Sequence, residues 1–314
     1  MRPLIIIRRI PNINFMGLHK LGFALSLIMT LGSIGLFLVQ GLNYGIDFSG
    51  GTIIEARTTN GPADLSAMRS QLDGLGLGDV SLQGFGTPSD VLIRLQRQPG
   101  SDAAQEKAVQ LVKEKLGTSV EYRRTEVVGP KVGAELIRAG TIATILALFA
   151  IAAYVWFRFE WQFGVGAMLS TLHDTITTVG LFSLLQIEFN LTTLAAILTI
   201  AGYSINDTVV IYDRVRETMR KYRTMEFTEL INKSLNETLS RTILTVSTTA
   251  LAVLSLLIFG GEVLRGFSIA MLWGIVVGTY SSLFIAAPLL YYIRPKRGAP
   301  AKEGAANAVP SRTS

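Results

Sequence analysis

Six stretches of this chain are too long and too apolar to fold comfortably in water. They are Leu21–Val39, Ala139–Phe157, Phe163–Gln186, Leu191–Tyr212, Thr242–Phe259 and Phe267–Ile293. Each is long enough to cross about 30 Å of hydrocarbon as a helix. In lipid the helix is the one open-ended structure that satisfies its own backbone, so the pattern predicts a polytopic α-helical membrane protein with six transmembrane helices. The composition fits: 17% of the residues are charged, against roughly 25% in an ordinary soluble domain. The absence of cysteine excludes disulfides, zinc-thiolate sites and thiol nucleophiles. With two histidines, His19 and His173, a His-rich metal centre is a poor reading, and no cofactor or metal is expected.

Orientation follows from the basic residues of the short loops. With a cytoplasmic N-terminus, 17 of the 29 lysines and arginines fall on that side, Arg265 alone falls opposite, and the other 11 lie in one long segment. Both termini are therefore expected in the cytoplasm, and the long segment outside it. The net charge of +6 reads as membrane orientation rather than as a nucleic-acid patch. The first apolar run follows basic residues, as a secretory signal would, but Asn43-Tyr44-Gly45 is a poor cleavage site and the run reads as a retained span.

The long segment is polar enough to fold in water. Thr52–Thr58 alternates and is rich in β-branched residues, as strands are, and Leu65–Leu72 follows a Pro-Ala-Asp turn as a helix. Val80–Phe85 and Val91–Leu95 read as strands joined through Gly86-Thr87-Pro88-Ser89. Asp102 is placed to cap a helix over Ala103–Leu116, and Ser119–Val128 completes the order β-α-β-β-α-β of a ferredoxin-like domain. The expected organisation is residues 1–42 (N-terminus and first helix), 43–138 (extracytoplasmic domain), 139–293 (helices two to six, with a cytoplasmic loop at 213–240) and a disordered tail at 294–314.

No P-loop, GxSxG or HExxH is present, so the chemistry must come from ionisable groups inside the apolar runs. Such a group costs from about 2.5 kcal/mol upward at membrane depth and normally pairs or lines a cavity. Asp207 lies five residues before Tyr212, about 7.5 Å inside the helix end, with Asn206 and Ser204 beside it. It is either a titrating carboxylate on a proton or sodium path or a strut bonded to another helix. Arg241, at the start of the fifth run, is either a positive-inside anchor or the partner of Asp207, which would then be the titrating member. His173 and Asp174 fall near the middle of the third run. Their side chains point about 100° apart, so they cannot both face one partner; either could carry protons, or one could tie helices together. Glu188 and Asp213 sit at expected interfaces and should snorkel to water. Thr242, Thr245, Ser247, Thr248 and Thr249 form packing glue or a hydrated path. Gly45, Gly50 and Gly51, around Ile46-Asp47-Phe48, form either a hinge to the outer domain or an ordinary connecting turn. Gly274 and Gly278 suit close packing of the sixth run. A proton-sharing aspartyl dyad of Asp174 and Asp207 would instead make the chain a hydrolase.

The run Tyr44-Gly45-Ile46-Asp47-Phe48-Ser49-Gly50-Gly51-Thr52 resembles the signature after the first span of SecF, a bacterial protein-export membrane family. Val128-Gly129-Pro130-Lys131-Val132-Gly133, Gly202 to Arg214, Ser240-Arg241-Thr242 and Gly278 to Ser282 resemble its later motifs. Tyr212 replaces the expected phenylalanine, and the GLDLxGG and DAN-type motifs of the sister subunit SecD are missing. The resemblance implies a member of the resistance-nodulation-division superfamily that pairs with SecD in a twelve-span assembly. It would act with the SecYEG channel on the translocating polypeptide, drawing on the proton gradient or, in some organisms, sodium, while ATP is used by SecA. By the same resemblance it is not a hydrolytic enzyme, and its proton path includes Asp207 and Arg241, with Asn206, Asp174 and His173 beside them. Its surroundings would be membrane lipids in the cytoplasmic (inner) membrane, with no nucleic acid. The alternative is a proton-coupled small-molecule or lipid exporter subunit, a class that usually has larger external domains.

Overall fold

The computed structural model describes residues 11–78, 80–100 and 102–295 of the chain. Arg2, Arg8, Arg9 and the expected tail beyond residue 295 lie outside the described residues. After a 3-10 turn at Met16–Leu18, helix α1 (His19–Gln40) ends at Gly41. A short helix α2 (Ile46–Ser49) then leads into an α/β domain of β1 (Gly51–Thr58), α3 (Leu65–Asp73), β2 (Val80–Gly84), β3 (Asp90–Gln96), α4 (Asp102–Leu116) and β4 (Val120–Val128). The bundle continues with α5 (Pro130–Arg158), α6 (Trp161–Leu185), α7 (Leu191–Lys221), α8 (Phe227–Phe259) and α9 (Gly261–Ser281). A π-helical turn at Ser282–Ala286 joins α9 to α10 (Ala287–Ile293), where Pro288 cannot donate to the preceding turn.

Five helical segments among the described residues are long and apolar enough to cross a membrane: Met16–Gln40, Lys131–Arg158, Leu191–Lys221, Phe227–Phe259 and Val263–Ile293. Helix α6 matches them in length and packs against α1, α5, α7 and α9, while carrying the polar residues His173 and Asp174. Several helices overrun their apolar stretches. Helix α5 starts at Pro130, a residue whose fixed φ and missing N–H suit a first turn. Helix α7 continues to Lys221 and α8 begins at Phe227, leaving only residues 222–226 as connector where the sequence reads as a longer loop. Charge pairs at helical spacing, Arg214 with Glu217 and Lys233 with Glu237, favour that continuation.

The sheet order is β2-β3-β1-β4 with every pair antiparallel. Val91, Ile93 and Leu95 alternate onto the face that meets Ile54, Leu72, Val80, Leu82 and Val112 in the domain core. Asp64 caps α3 by accepting from the backbone N–H groups of Ser66 and Ala67. The other face of the sheet carries Ser81, Gln83, Leu92 and Arg94 toward the bundle, where α2 meets β3 and α9 meets β2.

The bundle has two apolar cores. At the domain end Phe48, Phe182, Phe189, Ile200 and Ile275 pack together, and at the other end Phe163, Tyr212, Leu230, Leu235 and Leu290 do so. Gly274 and Gly278 bring α9 close to α7: a Cβ on Gly274 would fall on Ile200, and one on Gly278 would lie 3.1 Å from the Ser204 Cβ. At the end remote from the domain, two asparagines one helical turn apart strap the N-terminal segment to α8. Ile13 N–H donates to Asn236 Oδ1 and Asn236 Nδ2 donates to the Ile13 carbonyl, both at 2.9 Å, and Met16 N–H donates to Asn232 Oδ1 at 2.9 Å.

Candidate functional site

Two polar centres lie inside the bundle. The first is built around Asp174 of α6, which is fully buried. Its Oδ2 accepts from Ser204 Oγ of α7 at 2.6 Å and from Ser281 Oγ of α9 at 2.8 Å, so one carboxylate oxygen ties three helices together. Ser170 Oγ donates to Ser281 Oγ at 2.8 Å, and Oδ1 lies 3.0 Å from His173 Nδ1. His173 and Asp174 therefore bond each other rather than sharing a third group. His173 Nε2 is buried with no hydrogen-bond partner.

The second centre is Asp207 of α7, 4% exposed, with Oδ2 buried and unpartnered. One turn earlier, the buried Tyr203 Oη lies beside Thr249 of α8. Arg241 on the neighbouring α8 is near enough to act on Asp207 through its charge, yet no ion pair within 4.0 Å joins them among the described residues. Arg241 is exposed, and Asn206 faces outward next to the buried Asp207. Around them the outward faces of α7 and α8 carry Thr199, Gly202, Asn206, Ser247 and Thr248 beside the exposed Ile243, Leu244, Leu251 and Leu254, whereas the outward faces of α1 and α5 carry mainly leucine, isoleucine and phenylalanine, up to Phe157 at 95% exposure. The threonines of α8 do not form one path: Thr248 and Thr249 donate back to carbonyls of their own helix, and Thr242 Oγ1 is buried without a partner.

Helix α7 thus presents Ser204 to one centre and Asp207 to the other. The two aspartates share no hydrogen bond, since both oxygens of Asp174 are engaged elsewhere, and the dyad geometry of an aspartyl hydrolase is not formed.

The junction between domain and bundle is a third polar region. Gly45 N–H donates to the Phe189 carbonyl at 2.9 Å and Phe189 N–H to the Asn43 carbonyl at 2.7 Å. Asp47 Oδ2 accepts from Leu191 N–H at 3.0 Å, and Phe48 stacks on Phe189 at 5.8 Å. Gly50 and Gly51 have positive φ, 76° and 149°, and a Cβ on Gly51 would collide with the Leu95 carbonyl. Gly45 has an ordinary φ of −66°; what excludes a side chain there is the close approach of Glu188 and Asn190. Glu188 does not snorkel freely to water: its Oε1 pairs with Arg94 Nη1 of β3, across from the domain. Asp213 is half-exposed and lies 3.5 Å from Arg158. Ser281 and the Arg94–Glu188 pair were beyond sequence reasoning, because each acquires meaning only from a partner far away in the chain.

A bundle of long apolar helices, holding buried carboxylates and bearing a small α/β domain after its first helix, defines a multi-pass membrane protein with an ionisable interior. Residues 108–296 match the C-terminal model of the protein export membrane protein SecD/SecF family, and residues 35–61 match the SecD/SecF GG motif. The chain is 48% identical over 293 residues to the protein translocase subunit SecF of Rickettsia rickettsii, covering 90% of this chain and 94% of that one. It is 44% identical over 304 residues to SecF of Cereibacter sphaeroides, covering 94% of each. The crystal structure of SecDF, a translocon-associated membrane protein from Thermus thermophilus, superposes with a TM-score of 0.75 at 38% identity. That match covers 90% of this chain and spans 39% of the SecDF chain. A SecDF structure in a super-membrane-facing form gives a TM-score of 0.69 at 37% identity. The chain belongs to the SecF branch of the SecD/SecF family.

Proposed function

We propose that this chain is the SecF subunit of a Sec export complex, pairs with SecD, and uses the proton-motive force to assist late steps of polypeptide translocation through SecYEG. The observation that carries this reading is Asp207: a buried carboxylate with an unpartnered oxygen, within electrostatic reach of Arg241 on the next helix. It lies beside the exposed polar residues Thr199, Asn206 and Ser247 of α7 and α8, which suit a partner subunit. In this reading α6 is a further span, giving six, both termini are cytoplasmic in the inner membrane, and the β-α-β-β-α-β segment is an outer ferredoxin-like domain.

The mechanism follows from charge. With Asp207 ionised, attraction draws Arg241 toward α7; protonation removes that attraction and lets α7 and α8 exchange packings. A membrane potential supplies about 2.3 kcal/mol per charge per 100 mV, enough over one or two protons to bias such an exchange. Asn206 lies at the mouth of the path, while Asp174 and His173 lie deeper as a second proton-holding pair. Gly45, Gly50 and Gly51 pass the motion to the outer domain.

The test is export into membrane vesicles under an imposed proton gradient, with wild type, Asp207→Asn and Arg241→Met in otherwise intact complexes. Both variants should assemble and lose the gradient-dependent part of export. Retention of that part by both would make Asp207 structural and remove the proposal's centre.

A further inference from the structure

A cleft of about 230 Å³ opens in the flank of the bundle between α1 and α5, helices that both pack on α6. Phe37 of α1 and Ile137 and Ile145 of α5 form its sides, and Val179 of α6 and Ile197 of α7 lie in its floor. Thr141, Thr144 and Thr175 line it as well, yet each donates its hydroxyl to a carbonyl one turn back in its own helix, at 2.8, 2.8 and 2.9 Å. Those hydroxyls are spent on the backbone, so the lining offers mainly hydrocarbon and aromatic surface. From Ile137 to Ile145 the cleft follows α5 for about 12 Å.

The surroundings of the opening identify its occupant. Ile142 and Phe149, at 47% and 67% exposure, continue the open flank beside Ile145, and a spanning helix turns such a stripe to lipid. Toward the domain the same stripe ends in charge. Arg138 lies one turn before Ile142, Lys131 lies two turns before Arg138, and both are exposed. Among the described residues neither makes an ion pair, even with Glu135 between them. A free cation at the polar end of an apolar cleft is the complement of a phospholipid, which joins a phosphate to a long alkyl chain. A chain lying in the cleft meets protein on three sides, where a chain on the open flank meets it on one, and so gains dispersion contacts. The phosphate gains a charge-assisted partner at the membrane boundary. We propose that the α1–α5 cleft binds one acyl chain of a phospholipid whose phosphate rests on Arg138. Tyr44, Phe48 and Phe189, packed ring on ring, border the domain end of the same cleft. The bound lipid therefore touches the joint between domain and bundle. The site does not depend on the export reading.

The experiment adds phosphatidylglycerol with a diazirine near the end of one acyl chain to intact complexes purified in detergent. After illumination, peptide mass spectrometry should place adducts on Phe37, Thr144 and Val179 in excess over Ile142 and Phe149 on the open flank. Thr144→Trp fills the cleft and should remove the first set while leaving the second. Arg138→Gln should raise the lipid concentration for half-maximal cleft labelling about three- to fivefold, the size of one partly exposed ion pair. A diazirine-bearing fatty alcohol, which has no phosphate, should label the clefts of wild type and Arg138→Gln alike. Arg138 is exposed, so Arg138→Gln decides the matter if Thr144→Trp fails to assemble. Equal labelling of cleft and flank marks ordinary surrounding lipid and overturns the site, as does a cleft that takes no label. Cleft labelling by phosphatidylglycerol that is indifferent to Arg138→Gln shows that any apolar chain, detergent included, fills the cleft, and overturns phospholipid recognition.

Discussion

Asp174 and Asp207 are both carboxylates buried in apolar helices, but their surroundings make opposite demands on a substitution. Asp174 holds Ser204 and His173, so Asp174→Leu strands two buried polar groups at about 1–3 kcal/mol each. The detergent-purified variant should melt well below wild type. Asp207 makes no hydrogen bond through Oδ2, so Asp207→Asn should leave the melting temperature unchanged while abolishing gradient-driven export. Equal melting losses for the two would remove the distinction. A third carboxylate, Asp90, lies in the domain. Arg57 donates to it at 2.6 and 2.8 Å and Thr87 Oγ1 at 2.7 Å, and these donors hold its pKa well below the usual carboxylate range. A depressed folded-state pKa adds stability that is fully present above about pH 4 and is lost as the pH falls toward the folded value. Asp90→Asn should therefore be less stable than wild type at neutral pH, with the gap closing in acid. Thermal unfolding across that range checks it, and a gap constant with pH would show that the pair contributes nothing.

At the scale of elements, the packing of α7 against α9 is set by glycine. Gly274→Val puts a branched side chain where Ile200 already lies, an overpacking that costs about 1–3 kcal/mol because a close-packed interior yields little. Gly202, also on α7, has no neighbour within 4 Å of its would-be Cβ, so Gly202→Val should keep the melting temperature of wild type. If the two valine variants melt alike, the close α7–α9 contact is not what holds the bundle. Most elements were legible from the chain alone. Strands β1 to β4 and helices α3 and α4 lie within a residue or two of where alternation and turn residues place them. Helix ends were less legible. Hydropathy reports apolar runs, whereas helices α5, α7 and α8 run on past them, supported by charge pairs and a proline start that hydropathy does not see.

For the whole molecule, the decisive feature is the asymmetry of its outer surface. Helices α1 and α5 turn mainly apolar side chains outward, while α7 and α8 mix the polar Thr199, Asn206, Arg241 and Ser247 with the apolar Ile243, Leu244 and Leu251. Polar groups in hydrocarbon find partners, so the α7–α8 face should lie against another membrane subunit. Asn206→Cys and Gly202→Cys should crosslink to that partner in native membranes, and Phe157→Cys on the α5 face should not. Equal labelling of all three by a lipid-soluble maleimide, with no adduct to a partner, would show that the face meets lipid.

The sequence by itself determined that this chain is a multi-pass membrane protein and which ionisable residues are out of place in its apolar runs. Those properties follow from local composition: run length against membrane thickness, and the cost of a charge in hydrocarbon. It also carried the order of strands and helices in the domain, since alternation and turn chemistry are local. Only the tertiary structure decided which buried groups meet. Asp174 finds Ser204 and Ser281, 30 and 107 residues away, while Asp207 keeps an oxygen free. Likewise Arg94 and Glu188, 94 residues apart, join domain to bundle. A side chain's role depends on the groups that folding brings within hydrogen-bonding distance, and no period or motif along the chain encodes that distance.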